Sequence, residues 1–278
     1  MKIKFIFVVV LIAVAAIAAF LWRGRTERPE TKNSQMLSDE SALAVTAEMV
    51  QYFGTVSGYF ASPQPSGNYP GIVMIHEWWG LNGNIKDMAR ELAQKGYLVL
   101  AVDLHKGEVA ATPERARELV SQLDKAEAAQ NLRAAVSFLR EKKATKIASL
   151  GWCFGGGQSL ALALSGEKLD ATVIYYGTLI TDKTQLQRIQ WPVLGIFGAE
   201  DTSIPVATVY DFRDALTFLD IPGSVHVYPG VGHAFANPSG PNYAPAATKD
   251  AWEKTLRFLG EHLKGALLFN DEMEEGIL

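Results

Sequence analysis

Residues 147–162 read Ile147-Ala148-Ser149-Leu150-Gly151-Trp152-Cys153-Phe154-Gly155-Gly156-Gly157-Gln158-Ser159-Leu160-Ala161-Leu162, and this stretch decides how the rest of the chain is interpreted. An apolar run, Ile147–Leu150, meets Gly-x-Cys-x-Gly and passes directly into residues suited to a helix. Glycines on both sides of Cys153 permit a sharp strand-to-helix turn that lifts the central side chain above a sheet. That is the pattern of a nucleophile elbow, with sulfur where a serine oxygen usually sits. The positive end of a helix dipole at this point favours a thiolate. Two other readings compete. One is a buried cysteine among packing glycines; the other is a phosphate loop, although neither the Walker spacing nor Gly-x-Gly-x-x-Gly is present. Cys153 is the one cysteine in 278 residues, which excludes an intramolecular disulfide framework and a thiolate zinc cluster.

Outward from the elbow, short apolar runs alternate with longer helical stretches. Val50–Tyr52 and Val56–Phe60, around Gly54, predict an opening antiparallel hairpin. Gly71–Ile75, Leu98–Val102, Ala171–Tyr175, Val193–Phe197 and Val225–Tyr228 predict further strands, each bounded by Gly, Pro or Asp or by a following helix. Thr112 before Pro113 is a good helix start. Leu119, Leu123, Leu132, Val136 and Leu139 then predict one long amphipathic helix. Strands joined by helices of ten or more residues imply βαβ crossovers and a mainly parallel sheet buried on both faces. In such sheets functional groups gather at the carboxyl ends of the strands.

The residues that follow those runs carry chemistry. After Val193–Phe197 comes Gly198-Ala199-Glu200-Asp201, where Asp201 suits the carboxylate that orients an imidazole. Its rival role is a helix cap near Pro205. After the last strand comes Gly232-His233-Ala234-Phe235, a glycine-rich loop that leaves His233 free to reach the elbow. The order Cys153, Asp201, His233 is the nucleophile-acid-histidine order of α/β-hydrolases. Asp103, which also ends a strand, is the fallback acid. After Gly71–Ile75 comes His76-Glu77-Trp78-Trp79-Gly80, where an oxyanion loop belongs. The expected donors are the backbone N–H groups of Trp78 and Phe154. Glu77 either faces the pocket or is a solvated loop charge. His76-Glu77 is no zinc motif, because no second histidine lies four residues on.

Hydrophobic residues make up 48% and charged residues 20%, with a formal net charge of -4, so no basic field exists to recruit nucleic acid. Phe5–Trp22 is a run of 18 uncharged residues without Pro or Gly, bracketed by Lys2 and Lys4 and by Arg23, Arg25 and Arg28. As a helix it would be roughly 27 Å long, near the thickness of a bilayer core. It reads as a membrane anchor or signal segment over residues 1–22, followed by a polar linker over 23–45, a catalytic domain over 46–264 and a tail over 265–278. The expected location is therefore membrane-anchored or exported.

Residues 46 to 264 resemble the dienelactone hydrolases, or carboxymethylenebutenolidases. The likeness rests on His76-Glu77-Trp78-Trp79-Gly80-Leu81, Asp103-Leu104, Gly151-Trp152-Cys153-Phe154-Gly155-Gly156, Gly198-Ala199-Glu200-Asp201 and Gly232-His233-Ala234-Phe235. It implies a single α/β-hydrolase domain, with helices on both faces of the sheet, and a Cys153-Asp201-His233 triad. It also implies Glu77 as partner of the resting thiol, which turns away when substrate binds. Two family arginines that hold a substrate carboxylate are replaced. One region reads Asp103-Leu104-His105-Lys106-Gly107-Glu108, and the other position is Asn237, which makes Lys106 and Asn237 the candidate substrate-binding residues. Lysine supplies charge but not a bidentate fork. The resemblance thus implies a hydrolase of a lactone or small carboxylic ester that uses no metal or organic cofactor. A thioesterase or peptidase with the same triad, or an idle scaffold that binds a ligand, are the other readings. The sequence is silent on oligomeric state.

Overall fold

The computed structural model describes residues 42–265. The apolar run at 5–22, nearly all of the expected linker and the tail beyond 265 lie outside the described residues. The strands are β1 (Ala44–Phe53), β2 (Val56–Gln64), β3 (Gly71–Ile75), β4 (Leu98–Ala101), β5 (Ile147–Trp152), β6 (Ala171–Tyr175), β7 (Val193–Gly198) and β8 (Gly223–Tyr228). The helices are α1 (Gly83–Gln94), α2 (Pro113–Ser121), α3 (Lys125–Glu141), α4 (Phe154–Leu164), α5 (Lys183–Leu186), α6 (Val206–Phe218) and α7 (Pro245–Leu259), the last followed by a π-helical turn, Gly260–Lys264.

The strands form one sheet in the order β1-β2-β4-β3-β5-β6-β7-β8. β1 and β2 are the predicted hairpin, and β2 joins β4 antiparallel. From β4 through β8 every pairing is parallel. All residues of β3, β5, β6 and β7 are buried. Successive side chains of a strand point to opposite faces, so both faces of this central sheet are covered. The architecture is that of an α/β-hydrolase. β1 alternates in exposure, as a strand with one wet face does, and begins at Ala44, two residues before the expected domain start.

The single long helix predicted after Thr112 is two helices. Thr112 caps α2 through a hydrogen bond from Arg115 N, and α2 ends at Ser121. The Asp124 carboxylate then accepts from Ala126 N and Glu127 N and starts α3. An apolar period of 3.6 cannot reveal this break, because Leu123 keeps the spacing while Asp124 supplies the stronger local signal, an N-cap. The consequence is functional: Val120, Leu123 and Leu132 from either side of the break reach the same cavity.

Candidate active site

β3, β5, β6, β7 and β8 lie side by side, so the residues following their carboxyl ends form a row. With strands about 4.8 Å apart, β8 stands roughly 14 Å from β5, and a residue after β8 must return across two strands to meet one after β5. The 229–244 loop does so. Ala199 N donates to Tyr228 O at 2.8 Å and Glu200 N to Val231 O at 3.0 Å. The Val231 carbonyl rests against Gly198, where any Cβ would collide with it. Asn242 Nδ2 donates to the His233 carbonyl at 2.9 Å and holds the loop from its far side.

Cys153 occupies the turn between β5 and α4 with φ 53° and ψ -117°, a conformation a non-glycine residue adopts at a cost. The neighbouring glycine makes it possible: a Cβ on Gly155 would lie 2.5 Å from His76 O and closer still to Ile75 O. The elbow is anchored by Cys153 N donating to Tyr175 O at 3.0 Å. Cys153 Sγ then lies 3.0 Å from His233 Nε2, and His233 Nδ1 lies 2.7 Å from Asp201 Oδ2.

Asp201 is buried, and its other oxygen, Oδ1, accepts from Ser203 N at 2.7 Å and Ile204 N at 3.0 Å. It is not the helix cap, since α6 begins at Val206 with Pro205 in that position. One carboxylate therefore both shapes its own turn and orients the imidazole. Burial opposes charge on His233, but the hydrogen bonds and charges of Asp201 and Cys153 outweigh it and hold the pKa up at about 10. Asp103, the fallback acid, is occupied elsewhere. Its oxygens accept from His105 N at 2.8 Å and Gly107 N at 2.5 Å.

Glu77 is buried, at 8% exposure, and faces the cavity. Its Oε2 accepts from Asn237 Nδ2. The expected partnership with the resting thiol is thus not what the structure holds: Cys153 is with His233, and Glu77 is with Asn237. Burial raises the Glu77 carboxyl to about 7, against the opposing effects of the His233 charge and the Asn237 amide. Its Oε1 makes no hydrogen bond among the described residues. The Tyr176 hydroxyl lies beside it without bonding geometry, also unpartnered.

Asn237 lines the cavity, where its Nδ2 donates one hydrogen bond to Glu77 and its Oδ1 accepts from Ser239 N at 2.9 Å. Lys106 is not in the cavity. It pairs with Glu127 at 2.8 Å on the surface and borders a separate cleft with Asp103 and His105. Trp78 and Phe154 both line the Cys153 cavity. Phe154 opens α4, so its N–H has no intrahelical acceptor.

Two further residues help to build the site: Tyr176, which the sequence reading did not single out, and His76, to which it gave no role. Tyr176 follows β6, has φ 34°, and packs edge-on against His233 with ring centres 5.4 Å apart. Its signal was the rule already in use, a residue directly after an apolar run. His76 is fully buried; its Nδ1 donates to Glu77 O at 2.5 Å and its Nε2 accepts from Leu104 N at 3.1 Å. Burial lowers its pKa to about 4, so it is a neutral brace that fixes the loop carrying Glu77.

The profile of the dienelactone hydrolase family matches residues 56–263. The chain is 33% identical to protein usf of Aquifex pyrophilus over 223 residues, covering 75% of this chain and 94% of that one. It is 30% identical to a protein of Synechocystis sp. named "Putative carboxymethylenebutenolidase", covering 75% and 93% respectively. The crystal structure of a dienelactone hydrolase-like promiscuous phosphotriesterase from metagenomic libraries superposes with a TM-score of 0.72 at 28% identity, covering 79% of this chain and 99% of that one.

Proposed function

This chain belongs to the dienelactone hydrolase family and is a hydrolase, and from that premise we propose that it cleaves a lactone or small carboxylic ester through Cys153, His233 and Asp201. The observation that carries the proposal is the continuous hydrogen-bonded line from Sγ to Nε2 at 3.0 Å and from Nδ1 to Asp201 at 2.7 Å. In this reading the proton shared between Sγ and Nε2 rests on His233, as its raised pKa favours, and the sulfur attacks the carbonyl carbon, forming a C–S bond. Asp201 holds the imidazole's orientation and stabilises its charge. The tetrahedral oxyanion accepts hydrogen bonds from the N–H groups of Trp78 and Phe154. Its collapse breaks the C–O bond, and the alcohol leaves with the proton from His233. Water, deprotonated by His233, then attacks the thioester, releasing the carboxylic acid and restoring the proton shared between sulfur and His233.

The deciding assay measures turnover of aryl esters, thioesters and lactones by the wild type and by Cys153→Ala. Loss of turnover in the variant is expected. Equal turnover by both proteins would refute a cysteine nucleophile and leave a binding scaffold. A preference for thioesters over oxygen esters would redirect the substrate class.

We also propose that the apolar run at 5–22 delivers the catalytic domain to a membrane or across it, on the strength of its length and its basic flanks. Among the described residues no helix is long and apolar enough to cross a membrane. Fractionation of the full chain beside one lacking residues 1–22 tests this. Identical distribution of the two would overturn it.

A further inference from the structure

We propose that the cavity at Cys153 is built for neutral esters with a sizeable apolar group and discriminates against substrates that carry a carboxylate; this rests on the esterase reading above. Four observations point to it. Asn237, at the position where the family resemblance implies an arginine, offers no charge, and its amide is tied to Glu77 and to Ser239 N. Lys106, the other candidate cation, is paired with Glu127 and borders a different cleft. The group that does face the cavity near the nucleophile is a carboxyl, Glu77, with an unpartnered oxygen. A substrate carboxylate drawn into this site would meet like charge whenever Glu77 is ionised and would lose its hydration without a lysine or arginine as cationic partner beside the nucleophile.

The fourth observation is the wall. The cavity has a volume of about 860 Å³, at the upper end of the range for sites that enclose drug-sized ligands. Trp78, Trp79, Val120, Leu123, Leu132 and Ile180 supply large apolar surfaces to it. Apart from the residues assigned to the reaction and Glu77, its ionisable lining consists of Tyr176, which burial and the Glu77 charge keep neutral, and Lys125. Lys125 is exposed and sits on the first turn of α3, where solvent screens it. Such a surface rewards contact area and gives a carboxylate no fork to bind.

The experiment compares kcat/KM for neutral p-nitrophenyl esters from acetate to octanoate with p-nitrophenyl esters of matched length ending in a carboxylate, using the full chain. Each added methylene should raise kcat/KM up to about fourfold, the equivalent of ~0.8 kcal/mol per buried CH₂. The carboxylate-ended esters should run at least about tenfold below their neutral counterparts. A flat or falling neutral series, or parity with the anionic series, overturns the inference. Val120→Asp should flatten the chain-length dependence of kcat/KM. An unchanged slope in that folded variant would remove this wall as the apolar subsite. Cys153→Ala separates the two readings. Its inactivity alongside a flat wild-type series sinks only the substrate class, whereas its full activity sinks the nucleophile as well.

Discussion

Glu77→Gln should make the protein more stable than wild type at neutral pH, by an amount that depends on pH in a specified window. The Glu77 carboxyl is buried and its pKa rises from 4.5 to about 7. The folded protein therefore holds this proton between pH 4.5 and 7 while the unfolded chain has released it. With more protons bound in the folded state, stability falls as pH rises through that window. The loss is absent below 4.5, where both states are protonated, and complete above 7. The shift corresponds to about 3 kcal/mol. Glutamine cannot titrate, yet its carbonyl can still accept from Asn237, so the variant escapes this loss. Urea unfolding followed by tryptophan fluorescence, at half-unit steps from pH 4.5 to 8, should show the variant gaining on the wild type by about 3 kcal/mol across the range. Comparing the two proteins cancels titrations that they share. A stability difference that stays constant from pH 4.5 to 8 would refute the claim that this carboxyl is desolvated in the fold. The same variant reports on the thiol. Because Cys153 contacts His233 and not Glu77, the pH midpoint of iodoacetamide alkylation should be nearly unchanged. A lowered midpoint would reveal a resting state with the thiol on Glu77.

Three further outcomes follow from the site. Cys153→Ala and His233→Ala should each reduce kcat by at least about 100-fold, and the double variant should be little worse than either single one, because the pair acts as a unit; multiplicative losses would break the assignment. Gly155→Ala forces a Cβ onto the carbonyls of Ile75 and His76 and should cost about 1–3 kcal/mol, together with most activity as the elbow shifts; a variant with wild-type melting temperature and rate would contradict the tight approach. Asn237→Arg adds a cation beside Glu77 in the cavity and should raise the ratio of anionic-lactone to neutral-ester turnover about tenfold, a charge-assisted contact of roughly 1.5 kcal/mol, as measured by kcat/KM for the two substrates.

The sequence alone was enough to identify the sheet and the elbow turn and to nominate the candidate reactive residues in order, because each is a local property. A buried parallel strand announces itself as a short apolar run, and the residue that follows it is at the functional edge of the sheet by construction. Gly151 and Gly155 mark a turn that few other residues permit, so Cys153 could be placed before any coordinates existed. The break at Asp124 was also written locally, as an N-cap, but an uninterrupted apolar period hid it. The tertiary structure alone decided which side chains meet across long separations. Glu77 and Asn237 are 160 residues apart, and their contact exists because the loop after β8 folds back over β7 and β6. The same fold-back leaves Cys153 facing His233 and gives Asn237, not the thiol, to Glu77. Lys106 turned to Glu127 because the β4 loop is tied down by Asp103 toward α3, away from the cavity. Strand runs and turn residues are fixed by sterics and solvation within a few residues. The partner of a buried polar side chain depends instead on where distant loops come to rest, and on which pairing leaves the fewest groups stripped of water without a bond.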